Sequence, residues 1–354
     1  MMLHKLKHIF DQFDHHAVFE TSEELASGHI NDTFLIKTRE KPFFVLQRIN
    51  HDVFKDVPGL MQNKVSISQH IRKKLSDRAY RLVLTFVKSK QGNSFYFKEH
   101  KDFWCLSYFI ENCITHDIVQ TSEVAYEGGQ LVGEFLRLTD DFDSSKLVEV
   151  ISKFHDMSYR FSQFEAALKG ASEERLDNAE RQIKTIQSLK AEMHILQNLK
   201  EAGKIKIRVT HNDTKISNIL FTKENKGLCV IDTDTVMPGI VHYDFGDAIR
   251  TICNTAAEDE TNLDLVRFNI DFYKAYAEGF LKEMRPSLSP LELKYLPLGA
   301  KTMIFIMALR FLTDYLNNDV YYKTAYAEHN LDRSKNQLKL IESFDNMGES
   351  LNLA

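Results

Sequence analysis

The sequence predicts an α+β protein with a small antiparallel-sheet N-terminal lobe and a larger helical C-terminal lobe. Three observations indicate this class. Short apolar runs fill the first third of the 354 residues, long helical patterns dominate from about Glu123 onward, and one pair of short strand-like runs interrupts the helices. The predicted lobes cover residues 1–111, expected to bind a nucleotide, and residues 112–354.

The predicted N-terminal lobe contains six short strands and one helix. Turn-like breaks such as SGHIND and KQGN separate the strands. The predicted strands are AVFETSEEL, NDTFLIKTR, PFFVLQRIN, YRLVLTFVKS, NSFYFKEH and DFWCLSYFI. Between the third and fourth runs the apolar spacing becomes helical, and Pro58 stands where a helix can begin.

Long periodic segments predict the helices of the C-terminal lobe. They include SEVAYEGGQLVGEFLRL, LVEVISKFHDMSYRFSQFEAALKG, a charged segment over 171–203, LDLVRFNIDFYKAYAEGFLKEM, PLELKYLPLGAKTMIFIMALRFLTDYL and RSKNQLKLIESF. The runs NILF and GLCVIDTDTV, joined by the turn-like TKENKG, predict a β-hairpin between these helices.

Composition narrows the range of functions. The net charge is -5 and the basic residues are scattered, which argues against nucleic acid as a partner. The four cysteines stand far apart without zinc spacing and are expected to be reduced, buried thiols. No apolar targeting region and no run of about 20 apolar residues is evident. We therefore expect a cytoplasmic protein without a membrane partner.

Four polar side chains stand at one end of the predicted hairpin. His211 and Asp213 precede its first strand, Asn218 starts that strand, and Asp232 closes the second. Because a hairpin brings these positions to the same end, we expect the side chains to be neighbours. Phosphoryl transfer needs such a group, namely a carboxylate for the attacking hydroxyl and two oxygen ligands for Mg²⁺.

The pattern H-x-D-x-x-x-x-N has the Asp-to-Asn spacing of the kinase catalytic loop. With the segments GHINDTF, LQRIN, HNDTKISNILF, IDTDTVMPG, DFGDAIR and LRFLTDYLNNDVYYK, the chain resembles the aminoglycoside phosphotransferase and choline kinase superfamily. Within it, the chain is similar to the N-acetylhexosamine 1-kinases. The resemblance implies a protein-kinase-like (aminoglycoside phosphotransferase-like) two-lobe fold that uses ATP and Mg²⁺ and a small-molecule sugar substrate.

The resemblance also implies a division of roles at the hairpin. Asp213 would accept the proton of the acceptor hydroxyl, and Asn218 and Asp232 would hold Mg²⁺, with Asp234 assisting the metal indirectly. Taken singly, Asp213 could be a residue that caps the hairpin turn, and Asp232 could form an Asx turn at the end of a strand. Their combination at this spacing favours phosphoryl transfer.

A literal Asp-Phe-Gly occurs at 244–246, but Asp244 lies 31 residues after Asp213. The kinase template implies an interval of about 20 residues, so the metal role is assigned to Asp232. In the resembled family the later Asp is structural, and we expect Asp244 to brace the catalytic loop through backbone N–H groups. A solvent-facing helix N-cap is the alternative.

Two features of the N-terminal lobe depart from protein kinases. The loop ASGHINDTF has one glycine where protein kinases have three. By resemblance His29, Asn31 and Asp32 are candidates for sugar contacts, although an ordinary hairpin turn is an alternative. Gln47 and Arg48 stand where kinases carry a phosphate-binding Lys, and strand alternation allows only one of them to face the cleft.

The segment CLSYFIEN is the candidate hinge to adenine. Phe109, Ile110 and Glu111 would offer backbone groups and apolar surface to the base, whereas a plain core strand is the alternative. Trp104 is expected to belong to the core. The predicted helix GLMQNKVSISQHI offers no Glu for the usual Lys–Glu ion pair of kinases.

An acceptor pocket is predicted in the last third of the chain. Arg310 and Asp314 stand one helical turn apart on an otherwise apolar face. By resemblance Arg310 and either Tyr321 or Tyr322 would contact the sugar, and a structural Arg310–Asp314 ion pair is the alternative.

These features predict transfer of the ATP γ-phosphate to the anomeric hydroxyl of N-acetylglucosamine or N-acetylgalactosamine. A kinase of the same fold could instead act on another hydroxyl acceptor, such as an amino alcohol, an aminoglycoside or another sugar. A third hypothesis, from a different functional class, is a catalytically silent, kinase-like binding module. The presence of Asp213, Asn218 and Asp232 argues against that reading.

Overall fold

The computed structural model describes residues 2–25, 30–75, 83–92 and 94–353. They form two compact units. The first unit comprises Met1–Thr115, Leu138–Ser152 and Ile219–Pro238, and the second comprises His116–Arg137, Lys153–Asn218 and Gly239–Ala354. The predicted lobe boundary at residue 111 stays a prediction.

The first unit is built around an antiparallel sheet of five strands, with the order β1-β2-β3-β5-β4. Its elements are α1 (Met2–Phe10), β1 (Phe19–Glu24), β2 (Asp32–Thr38), β3 (Phe44–Ile49), α2 (Val57–Leu75), β4 (Phe97–Glu99) and β5 (Asp102–Tyr108). Pro58 does lie at the start of α2. The inserted helix and five of the six predicted strands are confirmed.

The core of this unit lies between α1 and one face of the sheet. Phe34, Ile36, Phe44 and Leu46 point to this face and are buried with Trp104, which is confirmed as a core residue. Apolar residues that alternate along β2 and β3 reach one face because side-chain direction has a period of two in a strand. The apolar residues of α1 cover them, a helix that the sequence reasoning did not predict.

The predicted fourth strand is not a regular strand. In its described part, 83–89, only single bridges occur, from Phe86 to Ser107 and from Ser89 to Phe13. Residues 80–82 of this predicted strand lie outside the described residues.

The predicted hairpin is present as β8 (Ile219–Thr222) and β9 (Gly227–Val230), following the short strand β7 (Arg208–Thr210) of the second unit. It packs in the first unit, although the sequence assigned it to the C-terminal lobe. The physical reason is that β6 (Cys113–Ile114) pairs with β8 and extends the hairpin to three strands. The last strand, β10, spans Met237–Gly239.

The second unit is mainly helical. Its helices are α3 (Ser122–Thr139), α4 (Met157–Gly170), α5 (Glu173–Asn178), α6 (Glu180–Met193), α7 (Ile195–Glu201), α8 (Val241–Ile252), α9 (Ile270–Met284), α10 (Pro290–Leu316) and α11 (His329–Asp345). The charged segment predicted as one helix forms three. The helix predicted from residue 147 begins at Met157, because the Asp156 carboxylate caps it by accepting from Tyr159 N.

Helix α10 is the central helix of the second unit. The sequence suggested no membrane-length apolar segment, yet this helix of 27 residues is long and apolar enough to cross a membrane by composition. It behaves as a core helix, because 72% of its most apolar window is buried within the protein. Helix α8 approaches it closely at Gly246, where an added Cβ would lie 2.2 Å from the Gly299 carbonyl oxygen.

Candidate active site

The predicted catalytic loop follows β7 in the second unit. Asn218 Nδ2 donates to the Asp213 Oδ2 carboxylate oxygen at 2.8 Å and to the Asp213 carbonyl at 2.8 Å. Lys215 Nζ lies 3.2 Å from the same carboxylate oxygen. In the described part of the chain, Asp213 Oδ1 accepts no hydrogen bond. The loop thus fixes the Oδ2 oxygen of Asp213, and the proton-accepting role of this carboxylate stays a prediction.

Asp244 fixes the backbone of this loop through hydrogen bonds. It is fully buried on α8, and its two carboxylate oxygens accept from His211 N and Asn212 N at 2.7 Å each. Burial raises the pKa of Asp244 to about 6, and His211 and the two backbone donors act in the opposite direction. The prediction that Asp244 braces the loop through backbone N–H groups is confirmed, and the solvent-facing cap is wrong.

A second carboxylate of α8 adds negative charge near the catalytic loop. Asp247 is buried and accepts from Arg250 at 3.2 Å. Burial raises its pKa, Arg250 opposes this, and the charge of Asp213 raises it further. Sequence reasoning missed Asp247, although it stands within the quoted DFGDAIR segment. The positive charges of Arg250 and Lys215 therefore offset the negative charges of Asp247 and Asp213.

Asp232 and Asp234 lie in the first unit, directly after β9. Asp232 has a φ of 57°, in the left-handed region. The Asp234 carboxylate accepts from Lys64 Nζ and from Asn31 Nδ2, and all three side chains are buried. Asn31 Oδ1 in turn accepts from Asn50 N at 2.8 Å. The predicted sugar contact of Asn31 stays a prediction, but both ends of its amide are bonded within this unit.

The amide of Asn218 fits the oxygen-rich chemistry of Mg²⁺. Asn218 uses its Nδ2 group on Asp213, so the amide is oriented with Oδ1 free to act as a ligand; within the described ranges Oδ1 accepts no hydrogen bond. The described residues contain no cluster of three or more His, Cys, Asp or Glu side chains suited to a metal. The metal roles of Asn218 and Asp232 remain predictions.

The two faces of β3 separate Gln47 from Arg48. Arg48 Nε donates to Asp32 at 2.6 Å, and a second nitrogen lies 3.5 Å from Asp102. Gln47 Oε1 lies 3.5 Å from Lys64 Nζ on the opposite face. Gln47 therefore faces the side of the sheet that carries Lys64, and Arg48 and Asp32 neutralise each other. His29, the other candidate of this loop, lies outside the described residues.

The candidate hinge is ordered as a continuation of the sheet. Phe109 N donates to the Phe43 carbonyl at 2.9 Å. Ile110 is buried with Leu228 and Cys229, and Glu111 forms an ion pair with Lys41. Their predicted contacts with adenine stay predictions. The four cysteines are free thiols, and three of them are buried as expected, whereas Cys113 is only partly buried.

A cavity of about 350 Å³ lies in the second unit beside α10. Arg160, Arg310, Asp314, Tyr321 and Tyr322 are among its lining residues. The Arg310 guanidinium lies 5.6 Å and 5.5 Å from the ring centres of the two tyrosines. Both tyrosines therefore reach the predicted pocket.

The Arg310–Asp314 ion pair is wrong as an alternative. The Asp314 carboxylate accepts from Tyr321 N at 2.8 Å, from Tyr322 N at 2.9 Å and from Asn330 Nδ2 at 3.0 Å. Arg310 has no carboxylate partner among the described residues. The Asp314 carboxylate fixes the backbone of Tyr321 and Tyr322, and the Arg310 guanidinium lines the cavity.

His155 lies close to the arginines of the cavity and to the catalytic loop. Burial, Arg310 and Arg160 lower its pKa to about 3, and the nearby backbone of Asn212 acts in the opposite direction. His155 is therefore neutral at physiological pH. Burial with Arg310 nearby also lowers the pKa of Arg160 to about 10.

This lowered pKa predicts a pH-dependent loss of stability. Between pH 6.5 and about 3 the unfolded chain binds a proton that folded His155 does not, so this site costs up to about 1.4 kcal/mol per pH unit as the pH falls. The variants His155→Gln and His155→Phe should lose this term. We expect the free energies of unfolding of both variants, measured in urea, to rise relative to that of the native chain as the pH falls from 7 to 5. A difference between variant and native chain that does not change with pH would contradict the assignment.

Comparison with known proteins places the chain in a family. Residues 21–291 match the APH phosphotransferase enzyme family, and the chain belongs to it. Among solved structures the chain is similar to a microcompartment-associated aminopropanol kinase, with a TM-score of 0.64, 14% identity and coverage of 99% of both chains. The predicted aminoglycoside phosphotransferase and choline kinase superfamily and the protein-kinase-like α+β fold class are thereby confirmed, whereas the narrower likeness to N-acetylhexosamine 1-kinases stays a prediction.

Two further structures have the same fold. An aminoglycoside phosphotransferase from Alicyclobacillus acidocaldarius matches with a TM-score of 0.64 and 12% identity, over 96% of this chain and 95% of that chain. A choline kinase from Cryptosporidium parvum matches with a TM-score of 0.59 and 13% identity, over 94% and 91%. At such identities the likeness establishes the fold and leaves the acceptor to be argued from the site.

Proposed function

We propose that the protein is an ATP- and Mg²⁺-dependent N-acetylhexosamine 1-kinase. Asp213 accepts the proton of the anomeric hydroxyl as its oxygen bonds to the γ-phosphorus. The bond from this phosphorus to the bridging oxygen breaks, and ADP leaves with the electron pair. Asn218 and Asp232 would hold Mg²⁺, which supplies charge stabilisation on the phosphates when bound. The product is the sugar 1-phosphate.

The observation that carries the choice of acceptor is the charge of the cavity beside α10. A cationic acceptor needs acidic or aromatic walls. Here two arginines line the cavity, the carboxylate of Asp314 is occupied by backbone N–H groups, and the Arg310 cation already lies over both tyrosine rings. The Arg310 guanidinium can donate to hydroxyl and acetyl oxygens, and the tyrosine rings offer a flat apolar surface to a sugar. A neutral sugar suits this cavity better than an amine.

The position of His155 relates this cavity to the catalytic loop, whichever acceptor the cavity holds. Its pKa responds to Arg310 and Arg160 and also to the backbone of Asn212. The cavity and the loop that carries Asp213 therefore lie within the range of one side chain in the second unit. An acceptor held by Arg310 would be close to the proposed base.

The main test is an ADP-release assay with Mg²⁺-ATP and separate acceptors, followed by phosphorus NMR of the product. The acceptors are N-acetylglucosamine, N-acetylgalactosamine, free hexoses, choline, 1-aminopropan-2-ol and an aminoglycoside. An anomeric phosphate from the N-acetylated sugars alone is the expected result. Turnover of an amine-bearing acceptor would overturn the sugar assignment and support another small-molecule kinase of this family.

The variant Arg310→Met tests the pocket directly. Loss of the guanidinium should raise KM for the N-acetylated sugar about tenfold or more, since a hydrogen bond from a charged group is worth about 1.5–3 kcal/mol. KM for ATP should change little. Arg267→Met, which removes an exposed arginine of the same unit, is the matched control. An unchanged sugar KM in Arg310→Met would contradict the assigned contact.

A further inference from the structure

Helix α2 carries a buried lysine that the proposed mechanism has not used. Lys64 is 4% exposed and forms an ion pair with Asp234, whose side chain is also 4% exposed. Its ammonium lies 5.4 Å from the centre of the Phe86 ring. A buried lysine is costly unless it is paired, and a fixed position for such a charge needs a reason.

The helix register that places Lys64 is fixed by its neighbour Asn63. Asn63 Nδ2 donates to the Val148 and Val236 carbonyls at 2.8 Å each, and Asn63 Oδ1 accepts from Val148 N at 3.0 Å. Val236 closes the short turn that contains Asp234. This amide therefore locks α2 against the segment that follows β9.

Lys64 lies beside the position where kinases carry their phosphate-binding lysine. Gln47 occupies that position on β3, and its Oε1 atom is 3.5 Å from Lys64 Nζ. In protein kinases the β3 lysine contacts the α- and β-phosphates and is paired with a Glu from the helix after β3. Here the lysine comes from the helix and the acid from the segment after β9.

We infer that Lys64 supplies the positive charge for the nucleotide phosphates, with Asp234 as its acidic partner, in place of the lysine absent from β3. The inference rests on the proposed use of ATP and concerns only residues of the first unit.

The charge balance of the site agrees with this role. Burial lowers the pKa of Lys64, but Asp234 and, more weakly, Asp232 raise it, and the net shift is upward. Burial raises the pKa of Cys105 to about 11, so this neighbour stays a neutral thiol. Lys64 is the cation among these groups, and Asp232 lies within its electrostatic range.

One property separates a phosphate-binding lysine from a purely structural ion pair. A structural lysine can be replaced together with its acid at little cost, because no unpaired charge remains buried. A phosphate-binding lysine cannot, because the anionic ligand loses its partner. The double variant Lys64→Met/Asp234→Asn retains an amide oxygen for Asn31 and removes both charges.

The test measures equilibrium binding of ATP and of adenosine by calorimetry with Mg²⁺ present. The variants are Lys64→Met, the double variant, and Lys73→Met, whose exposed lysine lies on the same helix. We expect the double variant to fold and to bind ATP about tenfold or more weakly, as for a lost charge-assisted hydrogen bond. Adenosine binding should be unchanged, and Lys73→Met should bind both ligands as the native protein does.

Native ATP affinity in the folded double variant would overturn the inference, and the pair would then be structural. Equal weakening for ATP and adenosine would also overturn it, because adenosine has no phosphate. Failure of the native protein to bind ATP would overturn the proposed function as well, and is thereby distinguishable from failure of the lysine assignment alone.

Discussion

Asp213→Asn is expected to lower kcat by about three orders of magnitude, the scale of a lost general base. The amide oxygen of Asn can still accept from Asn218, so the loop should keep its conformation. In the proposed mechanism the substitution removes the oxygen that takes up the hydroxyl proton, because an amide is not basic enough to do so. The effect therefore belongs to the transition state and should leave the binding of sugar and nucleotide nearly intact.

The comparison requires kcat from the ADP-release assay and dissociation constants for each substrate from calorimetry. Asp177→Asn, which neutralises an exposed carboxylate of α5, is the control for the loss of one negative charge. Turnover in Asp213→Asn close to the native value would contradict the assignment. A large loss of substrate affinity with unchanged kcat would instead indicate a binding role.

The second large effect is expected at Asp244. Asp244→Ala removes the acceptor of two buried backbone N–H groups, those of His211 and Asn212. Each donor left without a partner costs about 1–3 kcal/mol. We expect the free energy of unfolding in urea to fall by about 3–5 kcal/mol at pH 8, where the native carboxylate is ionised.

Asp244→Asn is the matched variant. It keeps the volume and one acceptor oxygen, but its NH₂ group would meet the second backbone N–H. Its loss of stability should therefore lie between that of the native protein and that of Asp244→Ala. If Asp244→Ala were as stable as the native chain, the two hydrogen bonds would not brace the loop as the structure indicates.

The two expectations concern the same loop from opposite sides. In the proposed mechanism Asp213 acts on the acceptor, whereas Asp244 binds the backbone of the loop that carries Asp213. A folded Asp244→Asn variant should accordingly lose turnover without losing a reacting group. Residues of these two kinds are distinguished by comparing kcat with unfolding free energy, and motif matching alone does not separate them.

Local sequence patterns were sufficient to predict several strands and the catalytic loop. The strand runs over residues 31–50 and the catalytic loop motif rely on spacing within a few residues, and such spacing is set by backbone geometry. The bracing role of Asp244 came from the interval to Asp213 together with the family resemblance. The hairpin was likewise predicted from its two apolar runs and the turn between them.

One signal within the sequence was missed. Lys64 stands at the spacing of Leu60, Ile67 and Ile71, the apolar positions of α2 that are buried. A lysine on such a face is rarely accidental, because burial of an unpaired charge is costly. Because the usual kinase pair places the lysine on β3 and a glutamate in this helix, the motif alone assigns no role to Lys64.

By itself, the sequence determined the family, the fold class and the candidate base, because these depend on motif spacing and on the periods of strands and helices. Only the tertiary structure decided which partner each charged side chain has. Lys64 forms an ion pair with Asp234, which is 170 positions away in the sequence. Asp314 accepts hydrogen bonds from the backbone of Tyr321 and Tyr322 and does not pair with Arg310. Ion pairs form between groups that folding brings within a few ångströms, and spacing along a helix does not reveal which of several groups will be nearest.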